Sequence, residues 1–512
     1  MRKLILIILA PLLVLFILFL LSLAACGCKC TEGSSCYPEC ICKENPDDPK
    51  CKGGASVEQK EIVFWNLFDD QSAFRGQIEE FESLPEIKAA GIHIRYKKFS
   101  SEKEYEKLLL NEMAEGGGPD IFTLHYSQIL QNTQKFTPAP TSLINGEIFR
   151  EKFSDVTSKI LIHKNDSEEE EVLGIPLFVD TLGLYYNNKY FKEVFPTNPK
   201  PQETWGGIKE QAAQMTKTNG NRLERFDLSG IAMGRSDNIF RAVDILNLLF
   251  VQYGTPMVDE EKEKTGISAS KGEKTNTEKA YDEPGEQAML LFTGFANTQN
   301  KHYSWNNLIT ARQADAKEFG VFAHGLVGMI FGYATDYERI VALAEEYKKN
   351  KDSDAVDKKD IFTIEAPQLI PKGETKTGAG DALANFYPLL VSRNSAYPEY
   401  AWEFLLFLSE ENRAREYAKN TQKPSAILSV NKEQWSDPLI GPFARQVPYS
   451  KTIPMVDKSS YHEMIEEGIK TTNKNSKSIK DVLNTMEKQF QCLLDKSLKK
   501  DSALDTECLL EK

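Results

Sequence analysis

The side chains that could do acid–base, metal or nucleophilic chemistry do not form a recognised catalytic pattern in this sequence. His462 begins the stretch HEMIE, which lacks the second His at i+4 that a metalloprotease helix needs. Neither a G-x-S-x-G elbow nor a G-x-x-x-x-G-K-[ST] phosphate loop occurs. The neighbouring carboxylates Asp69 and Asp70 would diverge in an extended chain, so they do not suggest a glycosidase pair. The sequence therefore favours a protein that is not an enzyme and uses neither a metal nor a cofactor.

Length and charge narrow the classes of partner. The chain has 512 residues, which is enough for two substantial lobes, and its formal net charge is −13. An acidic body argues against nucleic acid, whose phosphates require clustered Lys and Arg. The composition does not argue against a small uncharged ligand.

The N-terminus has the layout of a secretory leader. Arg2 and Lys3 precede the uncharged stretch 4–25, which ends in Leu23-Ala24-Ala25 directly before Cys26. That ending resembles the lipobox of bacterial lipoproteins, which predicts a signal peptide over 1–25 and a lipid on Cys26. An uncleaved membrane helix is the alternative, because the stretch is long enough to span a bilayer. Both interpretations place the rest of the chain on the extracytoplasmic face of the cell membrane.

Cysteines cluster directly after this leader. Seven of the nine Cys lie between residues 26 and 51, and six of them remain if Cys26 carries lipid. Six Cys can form three disulfides in 15 pairings. Free or metal-binding thiols are the alternative, although the spacing is not that of a zinc finger. We interpret residues 26–58 as a lipidated Cys-rich spacer, and we expect a chain starting at Ser56 to fold and bind as the mature protein does.

The elements that must position a site begin after this spacer. Apolar runs at 62–67, 91–99 and 120–124 predict strands, and the segments between them have helical periodicity, which is typical of parallel βαβ units. Further along, a strand pair broken near Asp180 precedes a helix capped by Thr204 and a helix that ends at Gly254. Residues 259–283 predict an exposed insertion. We expect one long helix over 398–420, and further helices from Lys432 onward.

Seven segments then occur in one order over about residues 59–430. They resemble, in that order, the extracellular solute-binding proteins of bacterial ABC importers, in the carbohydrate-binding (maltose-binding-like) family. The segments are IVFWNLFDD, EGGGPDIFTLHYS, GIPLFVDTLGLYYNNKYF, PKPQETWGGIKEQAAQMT, AVDILNLLFVQYGT, GLVGMIFGYATDY and YPLLVSRNSAYPEYAWEFLLFLSEENR. The Cys-rich spacer, the 259–283 insertion and Cys492 with Cys508 depart from the family pattern. The family's Gly-Gly-Trp reads Asn385-Phe386-Tyr387 here.

This resemblance implies an α/β fold with two hinge-linked lobes, like a periplasmic binding protein, and a ligand cleft between them. Lobe 1 is expected to cover 59–178 and 391–424, and lobe 2 to cover 179–390 and 425–512. Parallel α/β sheets bind ligands beyond the carboxyl ends of their strands, and two lobes can close on a ligand by a hinge.

The resemblance also implies a set of ligand-binding residues on loops at this cleft. For several of them the residue type alone favours a structural role: Asp70 and Asn238 suit helix caps, and buried Tyr is common in cores. Asp180 stands inside an apolar run, where a carboxylate is costly unless it has a partner such as a ligand hydroxyl. Trp205 and Trp402 lie on helical stripes and are expected in the core. The implied ligand-binding residues are Asp69, Asp70, His125, Tyr126, Ser127, Asp180, Asn238, Arg241, Tyr333, Tyr387 and Tyr461.

The function that the resemblance implies is delivery of a captured mono- or oligosaccharide to ABC permease subunits. A membrane-anchored sensor or adhesion protein with the same fold is the alternative, and an uncleaved N-terminal helix would favour it. An extracellular carbohydrate-active enzyme is a third candidate, and the missing acid–base pattern counts against it.

Overall fold

The computed structural model describes residues 59–218, 226–259, 264–270, 281–350, 353–375, 378–498 and 508–509. The described residues divide into a small unit, residues 59–60 and 85–93, and a large unit, which contains the described residues of 61–84 and of 94 onward. The described part of the small unit contains the helix Pro85–Ala90, and the Lys60 amide donates to the Gly91 carbonyl at 2.8 Å. The expected leader, the spacer and the lipid-bearing Cys26 lie outside the described residues.

The strands are short, apart from two near the beginning of the described chain. In chain order they are β1 (Lys60–Leu67), β2 (Ile92–Phe99), β3 (Ile121–Thr123), β4 (Ile162–Lys164), β5 (Glu170–Val172), β6 (Gly174–Ile175), β7 (Asp180–Thr181), β8 (Gly183–Asn187), β9 (Ser229–Ile231), β10 (Val258–Asp259), β11 (Lys264–Thr265), β12 (Val327–Gly332), β13 (Ile361–Glu365), β14 (Ala382–Asn385), β15 (Leu389–Val391) and β16 (Ser450–Lys451).

The α-helices alternate with these strands along most of the chain. In chain order they are α1 (Arg75–Ser83), α2 (Pro85–Ala90), α3 (Glu102–Ala114), α4 (Gly146–Lys152), α5 (Asp155–Leu161), α6 (Asn188–Val194), α7 (Trp205–Met215), α8 (Ala242–Tyr253), α9 (Pro284–Gly294), α10 (Lys317–Ala323), α11 (Tyr337–Lys349), α12 (Pro398–Leu408), α13 (Glu411–Thr421), α14 (Leu428–Gln434), α15 (Gly441–Gln446), α16 (Lys458–Asn473) and α17 (Ile479–Leu498).

Two mixed sheets form the centres of two lobes. The sheet of lobe 1 has the order β2-β1-β3-β15-β6, and the sheet of lobe 2 has the order β13-β8-β12-β9. In lobe 1, β1 and β3 are parallel, as the βαβ pattern predicts, with Phe64 opposite Ile121. In lobe 2, β12 is parallel to β9 and antiparallel to β8. Each sheet buries apolar residues on its strands, such as Phe64 and Ile330.

A third sheet, of order β16-β14-β7, lies where the chain passes between the lobes. β7 stands between β6 of lobe 1 and β8 of lobe 2, and β14 stands between β13 of lobe 2 and β15 of lobe 1. These two crossing strands pair antiparallel, with Asn385 opposite Asp180 and Ala384 opposite Thr181. The two crossings are therefore hydrogen-bonded to each other, which is the connection expected of a two-lobed hinge.

Local sequence signals located several element ends correctly. The Thr204 hydroxyl accepts from the Gly207 amide at the start of α7, and Gly254 ends α8 in the left-handed conformation. Trp205 and Trp402 are in the core, as expected, with exposed fractions of 2% and 0%. Their indole N–H groups donate to Gln252 and to the Thr137 carbonyl. The two helix ends depend on residues that are neighbours along the chain, so the sequence predicts them directly.

Two expectations differ from the structure. The predicted long helix is two helices, α12 and α13, because the Ser409 hydroxyl bonds back to the Leu406 carbonyl and the backbone at Glu410 is extended. The insertion 259–283 is not wholly exposed: Ile267 is fully buried, and the amides of Thr265 and Ser268 donate to side chains of α17. Side-chain acceptors on a distant helix thus fix a segment that has no apolar periodicity of its own.

Candidate functional site

The candidate site is the cleft around the crossing strands, where loops from both lobes meet. Lobe 1 contributes the loops that follow β1 and β3 and the first turn of α3, and lobe 2 contributes the loop after β12 and the first turns of α8 and α16. We call these the lobe 1 wall and the lobe 2 wall, and Tyr387 lies beside the crossing strand β14. Loops at strand ends are where an α/β sheet presents polar side chains to a ligand.

The lobe 2 wall is built on a mostly buried ion network of Arg241, Asp244, Tyr333 and Asp336. The Arg241 guanidinium donates to both oxygens of Asp336, at 2.9 and 2.5 Å, and lies 4.7 Å from the Tyr333 ring centroid. The Tyr333 hydroxyl donates to Asp244 at 3.0 Å. Although burial opposes the charge, Asp336 and Asp244 raise the pKa of Arg241. The network therefore holds a fixed cation with its counter-ions already in place.

Asp180 supports the same wall from the crossing strand β7. Its carboxylate is 2% exposed and accepts from the amides of Ala334 at 2.9 Å and Thr335 at 3.0 Å. Burial raises the pKa of Asp180 to about 6, and the two amides oppose the shift. The partner that a buried carboxylate needs is thus the backbone that follows Tyr333. A contact from Asp180 to a ligand hydroxyl stays a prediction.

His125 anchors the loop after β3 in the lobe 1 wall. Its Nδ1 lies 2.7 Å from the Ser127 hydroxyl, and its Nε2 lies 3.0 Å from Oδ1 of Asn385. Burial and the nearby charge of Lys458 hold the pKa of His125 well below its usual range, so the imidazole is neutral. The ring also contacts those of Tyr126 and Tyr387, with centroids 4.2 and 5.1 Å away. The structure therefore brings these predicted residues together.

An ion pair joins the two walls beside Tyr387. Lys458, at the start of α16, donates to both carboxylate oxygens of Glu102 on α3, at 2.6 and 2.8 Å. The Tyr387 hydroxyl donates to the same carboxylate at 2.8 Å. Tyr126 adds a second link, because its hydroxyl donates to the Ile453 carbonyl at 3.1 Å. We call the Glu102–Lys458 contact the interlobe ion pair, since it holds the walls together across the cleft.

The adjacent carboxylates after β1 have different surroundings. Asp69 is buried and accepts from the Lys423 ammonium at 2.5 Å and from the Tyr417 hydroxyl at 2.8 Å. Asp70 is exposed and pairs with Lys98 at 2.7 Å, and its side chain makes no capping bond. Asp69 is thus part of an internal ion pair at the base of the lobe 1 wall, while Asp70 lies in solvent.

Asn238 and Tyr461 hold parts of lobe 2 in place. Asn238 does not cap α8; it donates to the carbonyls of Asn306 and Ile309 and accepts from Trp305, all at 2.8 to 2.9 Å. The Tyr461 hydroxyl donates to Asn247 at 2.7 Å. Burial raises the pKa of Tyr461 well above its usual range, with Tyr126 and Asp244 adding to the shift. Tyr461 therefore lies near the Arg241 network, whereas Asn238 fixes a loop.

Sequence reasoning missed several side chains of the walls. Glu102, Lys423 and Lys458 are ordinary surface residue types, and Glu102 lies 356 positions from Lys458 along the chain. No local pattern could pair residues so far apart. Phe68 directly follows β1 and Thr123 is the last residue of β3. Their place at the ends of apolar strands is a sequence signal that could have identified them as residues of the wall.

Metal and membrane features are absent from the part of the chain that the structure describes. Within it, no group of three or more His, Cys, Asp or Glu side chains is arranged to hold a metal ion. Likewise, none of its helices combines the length and the apolar character that crossing a bilayer requires. A disulfide joins Cys492 on α17 to Cys508.

Comparison with solved structures finds the same fold in sugar-binding proteins. The sugar-binding protein MalE from Xanthomonas citri aligns with a TM-score of 0.63 at 13% identity, over 87% of this chain and all of that chain. The cyclic alpha-maltosyl-1,6-maltose binding protein from Arthrobacter globiformis gives 0.62 at 14%, over 85% and 99%. An ABC transporter solute-binding protein from Thermotoga lettingae, bound with alpha-D-tagatose, gives 0.59 at 16%, over 85% and 100%. At these identities the likeness shows a two-lobed periplasmic-binding-protein fold.

The sequence comparisons give the family. A search of curated proteins finds no match. The family model described as bacterial extracellular solute-binding protein matches residues 67–412, which include β3, both crossing strands and most of both walls. This chain belongs to the family of bacterial extracellular solute-binding proteins.

Proposed function

We propose that this protein captures a neutral mono- or oligosaccharide in the interlobe cleft and delivers it to an ABC-type importer. The observation that carries the proposal is the pairing of charges along both walls. Arg241 faces Asp336 and Asp244, Lys458 faces Glu102, and Lys423 faces Asp69. Among these residues an anionic ligand finds no cation that lacks a counter-ion, whereas an uncharged ligand needs none.

The remaining surface of the cleft suits a sugar. Phe68 is 46% exposed, and its ring meets that of Tyr387 edge to face with centroids 5.9 Å apart. Sugars have an apolar face that packs on aromatic rings and hydroxyl edges that hydrogen-bond to polar side chains. The three structural neighbours described above carry sugars or sugar-binding activity in their names, which supports the same ligand class for this chain.

The proposed location is the extracytoplasmic face of the cell membrane, with a lipid on Cys26 after cleavage of residues 1–25. Leu23-Ala24-Ala25-Cys26 supports it from the sequence. The Cys492–Cys508 disulfide supports it independently, because disulfides persist in oxidising compartments. Mass spectrometry of the membrane-extracted protein tests the anchor. We expect a lipidated chain that starts at Cys26, and Cys26→Ser should stay uncut; an intact leader on the wild type would contradict the proposal.

A thermal-shift screen of the full chain in detergent tests the ligand class. The panel contains neutral mono- and oligosaccharides and, for each monosaccharide, its phosphate ester. A neutral sugar at 100 times its Kd should stabilise the folded protein by about 2.7 kcal/mol, and its phosphate ester should stabilise less. Stabilisation by the phosphate esters alone would contradict the neutral ligand.

A further inference from the structure

Helix α8 begins without a side-chain cap of its own. Arg241 is its N-cap residue and makes no capping bond. The amides of Phe240 and Arg241 instead donate to the carboxylate of Glu318, one to each oxygen, at 2.5 and 3.0 Å. Glu318 lies on α10, 77 positions beyond Arg241, and is 1% exposed. Since the start of a helix favours a negative charge, Glu318 acts as a cap that a distant helix supplies.

Aromatic and cationic contacts fix the same junction between α8 and α10. The ring centroids of Phe240 and Phe319, the residue after Glu318, lie 5.9 Å apart. The Arg241 guanidinium lies 4.8 Å from the centroid of the first ring and 5.9 Å from that of the second. The guanidinium of Arg339 on α11 lies 5.2 and 5.4 Å from the same two centroids. Side chains therefore pack around the turn while Glu318 holds its backbone.

This turn carries two members of the lobe 2 wall. Arg241, whose amide Glu318 accepts, donates through its guanidinium to Asp336, and Asp244 lies in the first turn of α8. The side chains of Arg241 and Asp244 are 16% and 13% exposed. Glu318 is buried, so its effect on a ligand in the cleft passes through the backbone of this turn.

The protonation state of Glu318 decides how well it can hold the two amides. Burial raises the pKa of Glu318 to about 7, and the hydrogen bonds from the amides of Phe240 and Arg241 oppose the shift. The ionised carboxylate accepts at both oxygens, whereas the protonated acid turns one oxygen into a donor. The other charged side chains at this junction are Arg241 and Asp244 on α8, Asp336 on the loop after β12, Arg339 on α11 and Lys317 beside Glu318 on α10.

We propose that Glu318 is a positioning residue of the sugar site, which holds the first turn of α8 so that Arg241 and Asp244 keep the geometry that a bound sugar needs. This role rests on the proposed function, because the turn belongs to a wall of the proposed sugar cleft. The ionised form of Glu318 holds the turn by two accepted bonds and the protonated form by one. Sugar therefore binds the ionised form more tightly, and affinity should rise as pH rises through about 7.

Calorimetry on Glu318→Gln in the full chain, at two pH values, tests this role. The probe is the neutral sugar that binds the wild type most tightly in the screen, so the ligand itself does not titrate. Gln has the shape of Glu but only one acceptor oxygen at every pH, like the protonated acid. We expect Glu318→Gln to bind about three- to tenfold more weakly than the wild type at about pH 8.5, and equally at about pH 5.5. Because Asp180 and the other groups titrate in both proteins, the ratio of the two Kd values isolates Glu318.

Asp120→Asn is the matched control, because Asp120 is also buried and accepts the Val63 amide at 2.8 Å, but inside lobe 1. It should leave sugar affinity unchanged at both pH values. Glu318→Asp, which keeps the charge on a shorter side chain, is the second variant, and its affinity should still fall between about pH 8.5 and about pH 5.5. Hydrogen exchange over residues 238–246, measured without sugar at about pH 8.5, should be faster in Glu318→Gln than in the wild type.

A ratio of Kd values for Glu318→Gln and the wild type that is the same at both pH values would overturn the positioning role and leave the proposed function intact. Unchanged hydrogen exchange in Glu318→Gln would also overturn it, because the turn would then not depend on this carboxylate. A wild-type protein that binds no neutral sugar in the panel would overturn both the positioning role and the proposed function.

Discussion

The two walls of the cleft differ in how firmly the protein itself holds their side chains. On the lobe 2 wall, Arg241 donates to Asp336, the Tyr333 hydroxyl donates to Asp244, and Asp180 holds the backbone that follows Tyr333. On the lobe 1 wall, Phe68 stands on a strained turn with a φ of +75°, and its ring is half exposed. The lobe 2 wall is thus ordered by the protein itself, whereas the lobe 1 wall keeps an aromatic surface open to a ligand. A binding cleft gains from both, since a preorganised wall lowers the cost of ordering and an exposed ring offers apolar contact.

The largest expected effect comes from breaking the lobe 2 wall. Arg241→Leu leaves the carboxylates of Asp336 and Asp244 without their cation, and loss of one partner of a buried pair costs about 3–5 kcal/mol. Arg150→Leu is the matched control, because Arg150 and Glu170 form an exposed pair, and exposed pairs contribute little to stability. Urea unfolding measures both variants. Equal, small losses would mean that the lobe 2 wall is not preorganised by this network.

A pH series on Asp180→Asn tests the same wall through its buried carboxylate. Because burial raises the Asp180 pKa from 3.8 to about 6, the folded state binds the proton more tightly than the unfolded state. The stability that Asp180 contributes is therefore fully present at pH values below its unfolded-state pKa, and it is lost as pH rises through the folded-state pKa of about 6. Relative to Asp180→Asn, the wild type should lose about 3 kcal/mol of unfolding free energy between pH 3.5 and pH 7.

Asp70→Asn provides the control for this series, because Asp70 is exposed and its partner Lys98 is also partly in solvent. A wild-type advantage over Asp180→Asn that grows with pH would show that the amides of Ala334 and Thr335 outweigh burial, and our account of Asp180 would be wrong.

The interlobe ion pair tests how firmly the two walls are held together. Replacing both partners, Glu102→Gln with Lys458→Gln, removes the ion pair without leaving one charge unpaired. A partly exposed pair contributes about 1 kcal/mol, so the open population should rise about fivefold. Fluorescence energy transfer between dyes on the two lobes measures it. Lys480→Gln is the control, because Lys480 belongs to an exposed pair within lobe 2, and it should leave the open population unchanged. An unchanged open population in the double variant would show that the interlobe ion pair does not hold the walls together.

The smallest expected effect is at the strained turn of the lobe 1 wall. Asn tolerates positive φ better than Phe does, so Phe68→Asn should raise the unfolding free energy by about 0.5–1 kcal/mol while weakening sugar binding. A gain in stability together with a loss of sugar affinity would show that the strain at Phe68 serves ligand binding. Phe136→Leu, a volume change in the core of the same lobe, should instead lower stability. A lower unfolding free energy in Phe68→Asn would mean that the positive φ of Phe68 does not destabilise the folded protein.

The sequence predicted the parts of the fold that depend on local neighbours. Thr204 caps the start of α7 and Gly254 ends α8 where expected, and the first three strands follow their apolar runs. The resemblance to a known family placed His125, Tyr333 and Tyr387 at one cleft; in the structure the His125 and Tyr387 rings lie 5.1 Å apart, whereas Tyr333 contacts Arg241 and Asp244. Their role in ligand binding stays a prediction.

What the sequence did not reveal depends on residues that are distant along the chain. The pairing of Asp69 with Lys423 joins positions 354 residues apart, and that of Glu102 with Lys458 joins positions 356 apart. Asp180 was correctly expected to need a partner, but no pattern shows that the backbone amides of a loop supply it. The charge balance of the cleft follows from these long-range pairs, so only the folded chain displays it.

The affinity of Tyr387 variants for the best neutral sugar tests most directly whether that sugar binds between the two walls. Tyr387 lies beside the crossing strand, and its ring contacts those of Phe68 and His125. Tyr387→Ala removes the aromatic surface and should weaken binding at least tenfold, whereas Tyr387→Phe keeps the ring and should stay within about threefold. Calorimetry on the full chain, with circular dichroism as the folding control, decides it. Wild-type affinity in a folded Tyr387→Ala variant would contradict a sugar site in this cleft.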